Sequence, residues 1–284
     1  MSKKPSVIFA SPHPRRKRNF LLFSGTIILT VLVLYAFLSP FFLPSYERTD
    51  LKLTLAPASL KHPFGTDCLG RDLCARVALG IRISLIVALA AAITDFVIGV
   101  CFGGLCVLLG KTYDNILTRF MDILYSIPRI LLIILFMLAL PPGIASLIIA
   151  ISITGWIPLA KIVRGRFLSL GNKSFVLSAK TMGANKRHIL LRHFLPNAQA
   201  SVLSSLILTI PSSIYTEAFL GFIGLGVQPP QAGLGSLVRD GLNSIHYYPG
   251  QFLIPITFTV SIVLCFNFIG EGLKEIFEER GEYA

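Results

Sequence analysis

Six stretches of predominantly apolar residues, roughly 20–42, 83–109, 123–140, 143–163, 200–223 and 252–270, divide this chain. Each approaches the roughly 20 residues that a helix rising about 1.5 Å per residue needs to cross a bilayer. A backbone in hydrocarbon must satisfy its own N–H and C=O groups, and no strand-like alternation competes with these runs. The expectation is an all-α integral membrane protein with about six transmembrane helices. Composition agrees: 54% of residues are hydrophobic and 14% charged, where a soluble domain carries about a quarter charged residues. Only Pro141-Pro142-Gly143 separates the third and fourth runs, which reads as a tight turn between neighbouring helices.

Positive charge is concentrated at two places. The N-terminal tail has Lys3, Lys4, Arg15, Arg16, Lys17 and Arg18 with no acid. The stretch from Lys161 to Pro196 adds Arg164, Arg166, Lys173, Lys180, Lys186, Arg187 and Arg192, again with no acid. The positive-inside bias puts both on the cytoplasmic face. Six spans make the two assignments consistent, with the N- and C-termini cytoplasmic. Basic runs also serve nucleic-acid binding, but these flank apolar spans, so the expected neighbour is membrane lipid and not nucleic acid. The first apolar run is about twice the usual length of a signal-peptide core, and Leu38-Ser39-Pro40-Phe41 is no small-residue cleavage site, so it reads as an uncleaved anchor.

Several motifs can be weighed directly. Gly104 to Thr112 resembles a phosphate-binding loop but has five residues between its glycines where four are required. It also ends an apolar span, so no nucleotide site, catalytic group or cofactor is expected in this chain. Gly99 and Gly103 read as a small-xxx-small face that lets a neighbouring helix approach. Cys101, Cys106 and Cys265 read as small buried residues, while Cys68 and Cys74 share the first outer loop, either as two thiols or as a disulfide. In that loop Gly65, Thr66 and Asp67 precede Gly70, Arg71 and Asp72. Aspartates among glycines usually build side-chain-to-backbone turns and Arg–Asp pairs, so Arg71 is expected to pair with Asp67 or Asp72 and no metal is expected. Five dispersed histidines, none in a span, argue against a membrane-bound enzyme.

Two acids lie in spans, Asp95 and Glu217. Each is either a protein-facing group satisfied by a neighbour's hydroxyl or a contact on a transport pathway. Ser205, Thr209, Ser212 and Thr216 form one stripe at helical spacing, and either line such a pathway or bond another helix. The inner basic stretch contains Ser178-Ala179-Lys180-Thr181-Met182-Gly183-Ala184. A short helical hairpin made from it, held at the cytoplasmic face, reads as a docking element for a soluble partner.

Five segments in order also carry a family resemblance: His62 to Asp72, Arg119 to Pro128, Gly155 to Gly165, Glu217 to Pro230 and Phe266 to Leu273. Over nearly its whole length the chain resembles the permease subunits of bacterial ABC importers for dipeptides, oligopeptides or nickel, and specifically the second of their two permease types. The resemblance implies the type I ABC importer permease fold in the bacterial inner (cytoplasmic) membrane. It implies a second permease subunit, two ATP-binding subunits and an extracytoplasmic substrate-binding protein as partners. It also implies half of a translocation pathway for peptides, with nickel or another small solute as the alternative cargo. An ion-coupled secondary transporter is disfavoured by two scattered acids and no evident repeat.

In such permeases an inner loop, the EAA motif, sits in a cleft of the ATPase. Here it matches Val176 to Asn197, with Ser178, Ala179, Gly183 and Ala184 as close-contact residues and Pro196-Asn197 ending a second short helix. Leu177 stands where the family usually has glutamate, and Leu234 where it usually has tryptophan. The expected division is a tail at 1–19, an anchor helix and periplasmic loop at 20–82, a transmembrane core at 83–270 with the coupling loop at 164–197, and a second tail at 271–284.

Overall fold

The computed structural model describes residues 15–282, so the part of the basic tail that holds Lys3 and Lys4 lies outside the described residues. Helix α1 (Arg15–Phe42) leads into an outer loop with one 3-10 turn at Leu51–Leu53. There follow α2 (Leu73–Leu109), α3 (Lys111–Ser126), α4 (Arg129–Ala139), α5 (Ile144–Leu170), α6 (Ser174–Thr181), α7 (Lys186–Ile189), a π turn at Leu190–Phe194, α8 (Leu195–Phe222), α9 (Leu234–Leu242) and α10 (Pro249–Glu282). Among the described residues the sole extended pairing is an isolated bridge between Thr66 and Asp72.

Among the described residues, five helices are long and apolar enough to cross a membrane: Phe20–Phe42, Leu73–Leu109, Ile144–Leu170, Lys186–Phe222 and Pro249–Lys274. The third expected span, 123–140, is not a single helix. Its residues fall in α3 and α4, which meet at 82°. Pro128 offers no N–H and forces Ile127 into extended geometry (φ −79°, ψ 132°), which stops α3. The 11 residues of α4 reach only about 16 Å, too little for a bilayer core, so any sixth crossing is a broken one. Two outer boundaries also move. Asp72 caps α2, accepting from Ala75 N at 2.7 Å, so the helix begins at Leu73 rather than near 83, and α10 runs past 270 to Glu282.

Helices α2 and α5 make the most extensive packing in the chain. A Cβ at Gly99 would lie 3.1 Å from the Leu159 side chain, and one at Gly103 2.7 Å from Ala160 O. The small-residue face therefore receives α5 of the same chain and is not free for a partner. A central core joins α1, α2, α8, α9 and α10 through Ala36, Val77, Ile81, Ile214, Leu234 and Ile262. Leu234 is fully buried there, and Gly80 of α2 leaves the room that it fills. A second cluster below it ties Phe167 of α5 to Val176, Ile189 and Phe194 of the inner loop. On α1, Phe20, Phe23, Val31, Phe37 and Phe41 are exposed, a face that suits hydrocarbon and not water.

Candidate functional site

The inner loop is two short helices around one turn. Helix α6 ends in a Schellman motif: Ala184 N bonds Ala179 O at 3.0 Å, Gly183 N bonds Lys180 O at 3.0 Å, and Gly183 sits at φ +84°. Glycine is favoured at Gly183 because other residues pay for the left-handed conformation; a Cβ there would meet nothing within 4 Å. Asn185 caps α7 by accepting from His188 N at 2.7 Å. Pro196 does not end a second short helix. Leu195 N bonds Leu190 O, and this wide π turn carries the chain into α8 with Pro196 in its first turn, where a missing N–H costs little. Lys186 to Phe222 is thus one continuous helix.

The hairpin presents an apolar surface. Ser178 and Gly183 are exposed and Ala184 is half-buried, whereas Ala179 forms part of the wall of a 440 Å³ groove also lined by Phe175, Met182, His188 and His193. Met182 is 82% exposed and Leu177 50%. Acids of α3 hold α5, the helix from which the loop leaves, and one lysine of the loop reaches α2. Arg164 makes a two-point bridge to Asp114, with Nη2 to Oδ2 at 2.7 Å, Lys161 meets Asp122 at 2.7 Å, and Lys186 Nζ donates to Leu108 O at the end of α2, 3.2 Å away.

At the opposite end, the outer loop is built on Asp67. Its carboxylate accepts from Leu69 N (2.8 Å), Arg71 N (2.9 Å), Arg71 Nε (2.7 Å) and the buried Arg76. Arg71 therefore pairs with Asp67, while Asp72 caps α2 and contacts His62 Nδ1 at 2.9 Å. Thr66 Oγ1 accepts from Ala56 N at 2.8 Å and donates to Leu53 O. A Cβ at Gly65 would come 2.6 Å from Ala56 O, and one at Gly70 1.8 Å from Asp50 O; both glycines have positive φ. Gln251 Nε2 of α10 donates to Thr66 O at 2.8 Å, fixing the loop to the last span. Cys68 and Cys74 are both free thiols, and Cys74 Sγ lies 3.2 Å from the Tyr35 hydroxyl.

The polar residues within the spans separate into two groups. Glu217 is fully buried; Ser84 donates to its Oε2 at 2.6 Å, and Oε1 has no partner. Asp95 is 1% exposed, lodged against Gly155 of α5, where a Cβ would stand 2.3 Å from Oδ2. Thr216 is buried as well, while Ser205 and Thr209 are half-buried and Ser212 is exposed. Ser205, Thr209 and Thr216 donate to carbonyls of their own helix. Ser212 instead accepts from Arg129 Nη1 at 3.2 Å. Arg129 is the first residue of α4 and donates through Nη2 to Ile151 O at 3.4 Å. Sequence reasoning weighed only the acids within the spans and passed over this arginine, although a basic residue inside the 123–140 run was the available signal. An arginine deep in a bilayer costs about 2.5–3.5 kcal/mol by insertion scales, so the side of the chain that carries Arg129 and Ser212 is a poor lipid face.

The chain is similar to known proteins. Residues 95–282 match the family described as binding-protein-dependent transport system inner membrane component. The oligopeptide transport system permease protein OppC of Bacillus subtilis is 40% identical, with 99% of this chain and 92% of that protein covered. The dipeptide transport system permease protein DppC of the same organism is 38% identical over 98% and 88%, and OppC of Escherichia coli 37% identical over 90% and 86%. Among solved structures, an inward-facing MetNI methionine ABC transporter superposes with a TM-score of 0.59 at 18% identity, covering 70% of this chain and 94% of that one.

Proposed function

The chain belongs to the family of binding-protein-dependent transport system inner membrane components, and on that premise we propose that it is one permease subunit of an ATP-driven peptide importer. The observation that carries the cargo class is the identity to oligopeptide and dipeptide permeases over almost the entire length. The fold is that of an ABC transporter permease, and the chain is a multi-pass membrane protein. Within the proposal, ATP is bound and hydrolysed by two partner subunits. A second permease completes the pathway, and a binding protein delivers peptide to the outer face.

The α6–α7 hairpin is the coupling element. Ser178, Gly183 and Ala184, together with the exposed Leu177 and Met182, form the surface that enters the ATPase cleft, and Ala179 shares a groove with Met182, Gly183 and Ala184. Its location on the inner face rests on the basic residues around it. The side of α8 carrying Ser205, Thr209 and Ser212 lines the pathway, with Thr216, Glu217 and Asp95 acting from inside the packed bundle. Gly65, Thr66, Asp67, Gly70, Arg71 and Asp72 shape an outer platform for the second permease or the binding protein.

The test is uptake of a radiolabelled peptide into proteoliposomes containing this chain, its second permease and its ATPase subunits, with binding protein outside and ATP inside the lumen. Uptake that requires all components is expected. Uptake by this chain alone, or uptake driven by a proton or sodium gradient without ATP, would overturn the reading.

A further inference from the structure

The break between α3 and α4 places a guanidinium where a continuous span would place a methylene chain. Ile151 is seven positions into α5 and Ser212 ten positions before the end of α8, so Arg129, bonded to both, lies about 10–15 Å below the outer helix ends. That is close to the middle of a hydrocarbon core about 30 Å thick. Its two bonds, 3.2 and 3.4 Å to a hydroxyl and a carbonyl, are long, and Nε has no partner. Among the described residues no carboxylate comes within ion-pair distance of it. Asp95 is packed against Gly155 of α5 instead. The guanidinium is thus held by two neutral acceptors, with donors left over and its Ser212 side open.

We propose that Arg129 is a specificity-determining residue of the pathway, a carboxylate subsite that takes the anionic group of the peptide as it passes the middle of the membrane. Arginine suits the task because its planar fork accepts a carboxylate by two parallel bonds, each stronger than those it makes to Ser212 and Ile151. The N-terminal end of α4 adds its dipole at the same point. The inference rests on the reading of the chain as a peptide permease.

The experiment uses the complete reconstituted transporter with saturating binding protein and three cargoes: trialanine, its C-terminal amide, and the amide of a tripeptide with one glutamate side chain. Arg129→Gln is expected to lower uptake of trialanine by about tenfold, the worth of one charge-assisted contact, and to leave the neutral amide unchanged. A matching fall with the glutamate amide would extend the subsite to side-chain carboxylates; no fall would confine it to the C-terminus. Arg129→Lys should keep part of the preference. Ser212→Asp, at an exposed position, places a competing carboxylate on the guanidinium and should erase the preference even if Arg129→Gln fails to accumulate in the membrane. Equal losses for trialanine and its amide, or no loss in either variant, would overturn the inference while leaving the proposed function intact. A wild-type complex that imports none of the three would sink both.

Discussion

Asp67 is 4% exposed yet collects two arginines and two backbone amides, which makes it the residue on which the outer loop depends. Replacing it by asparagine leaves one acceptor oxygen and abandons the buried Arg76. The expected loss is about 3 kcal/mol, the range for breaking one side of a buried pair, seen as a lower denaturation midpoint of the detergent-solubilised chain; an unchanged midpoint would mean that water replaces the carboxylate. This pairing was half legible in the sequence. Glycines and aspartates in alternation announced turns and an Arg–Asp pair, but Asp72 was as good a partner for Arg71 by spacing. The choice fell to Asp67 because Asp72 is consumed in capping α2, and because Arg76, one turn into that helix, adds a second cation. Gly183 carries a related ambiguity. Small size at a contact and positive φ at a helix end both select glycine, and a sequence does not say which applies, so a bulky residue there would strain the turn whether or not a partner is present.

At the scale of single elements, the α6–α7 hairpin exposes Met182 and Leu177, two large apolar side chains on a short connection. Met182→Glu is expected to reduce co-purification of the ATPase subunits about tenfold or more, since a charge entering an apolar contact must be desolvated without a partner. The chain itself should still insert normally, and full retention of the ATPase would place the docking surface elsewhere. Five spans were legible because an apolar run of sufficient length has few other fates in a bilayer. The bend at Ile127-Pro128 was not, because a run has the same composition straight or broken, and only the proline marked the place. Pro196 misled in the opposite sense. It reads as a stop, yet the π turn before it accommodates the missing donor, a tertiary solution that no local propensity encodes.

Across the whole molecule, the free thiols give a direct measure of orientation. Cys68 is exposed on the outer loop and Cys74, six residues on, is buried. In intact cells with a permeable outer layer, a membrane-impermeant maleimide should label Cys68 and spare Cys74; labelling only after lysis would place the basic loop outside. That expectation comes from the distribution of lysine and arginine, since charge placement is read during insertion and needs no tertiary contact. The path of the bundle's interior was less legible, as α2 keeps Gly99 and Gly103 for α5 of the same chain, a destination that small-residue spacing does not name. The unbroken helix from Lys186 to Phe222 has a mechanical meaning. With 37 residues it is about 55 Å long, so a swing of about 10° around its midpoint would carry each end through about 5 Å in opposite senses. A push delivered to the hairpin at one membrane face would thereby arrive at the other as a pull, along one continuous helix.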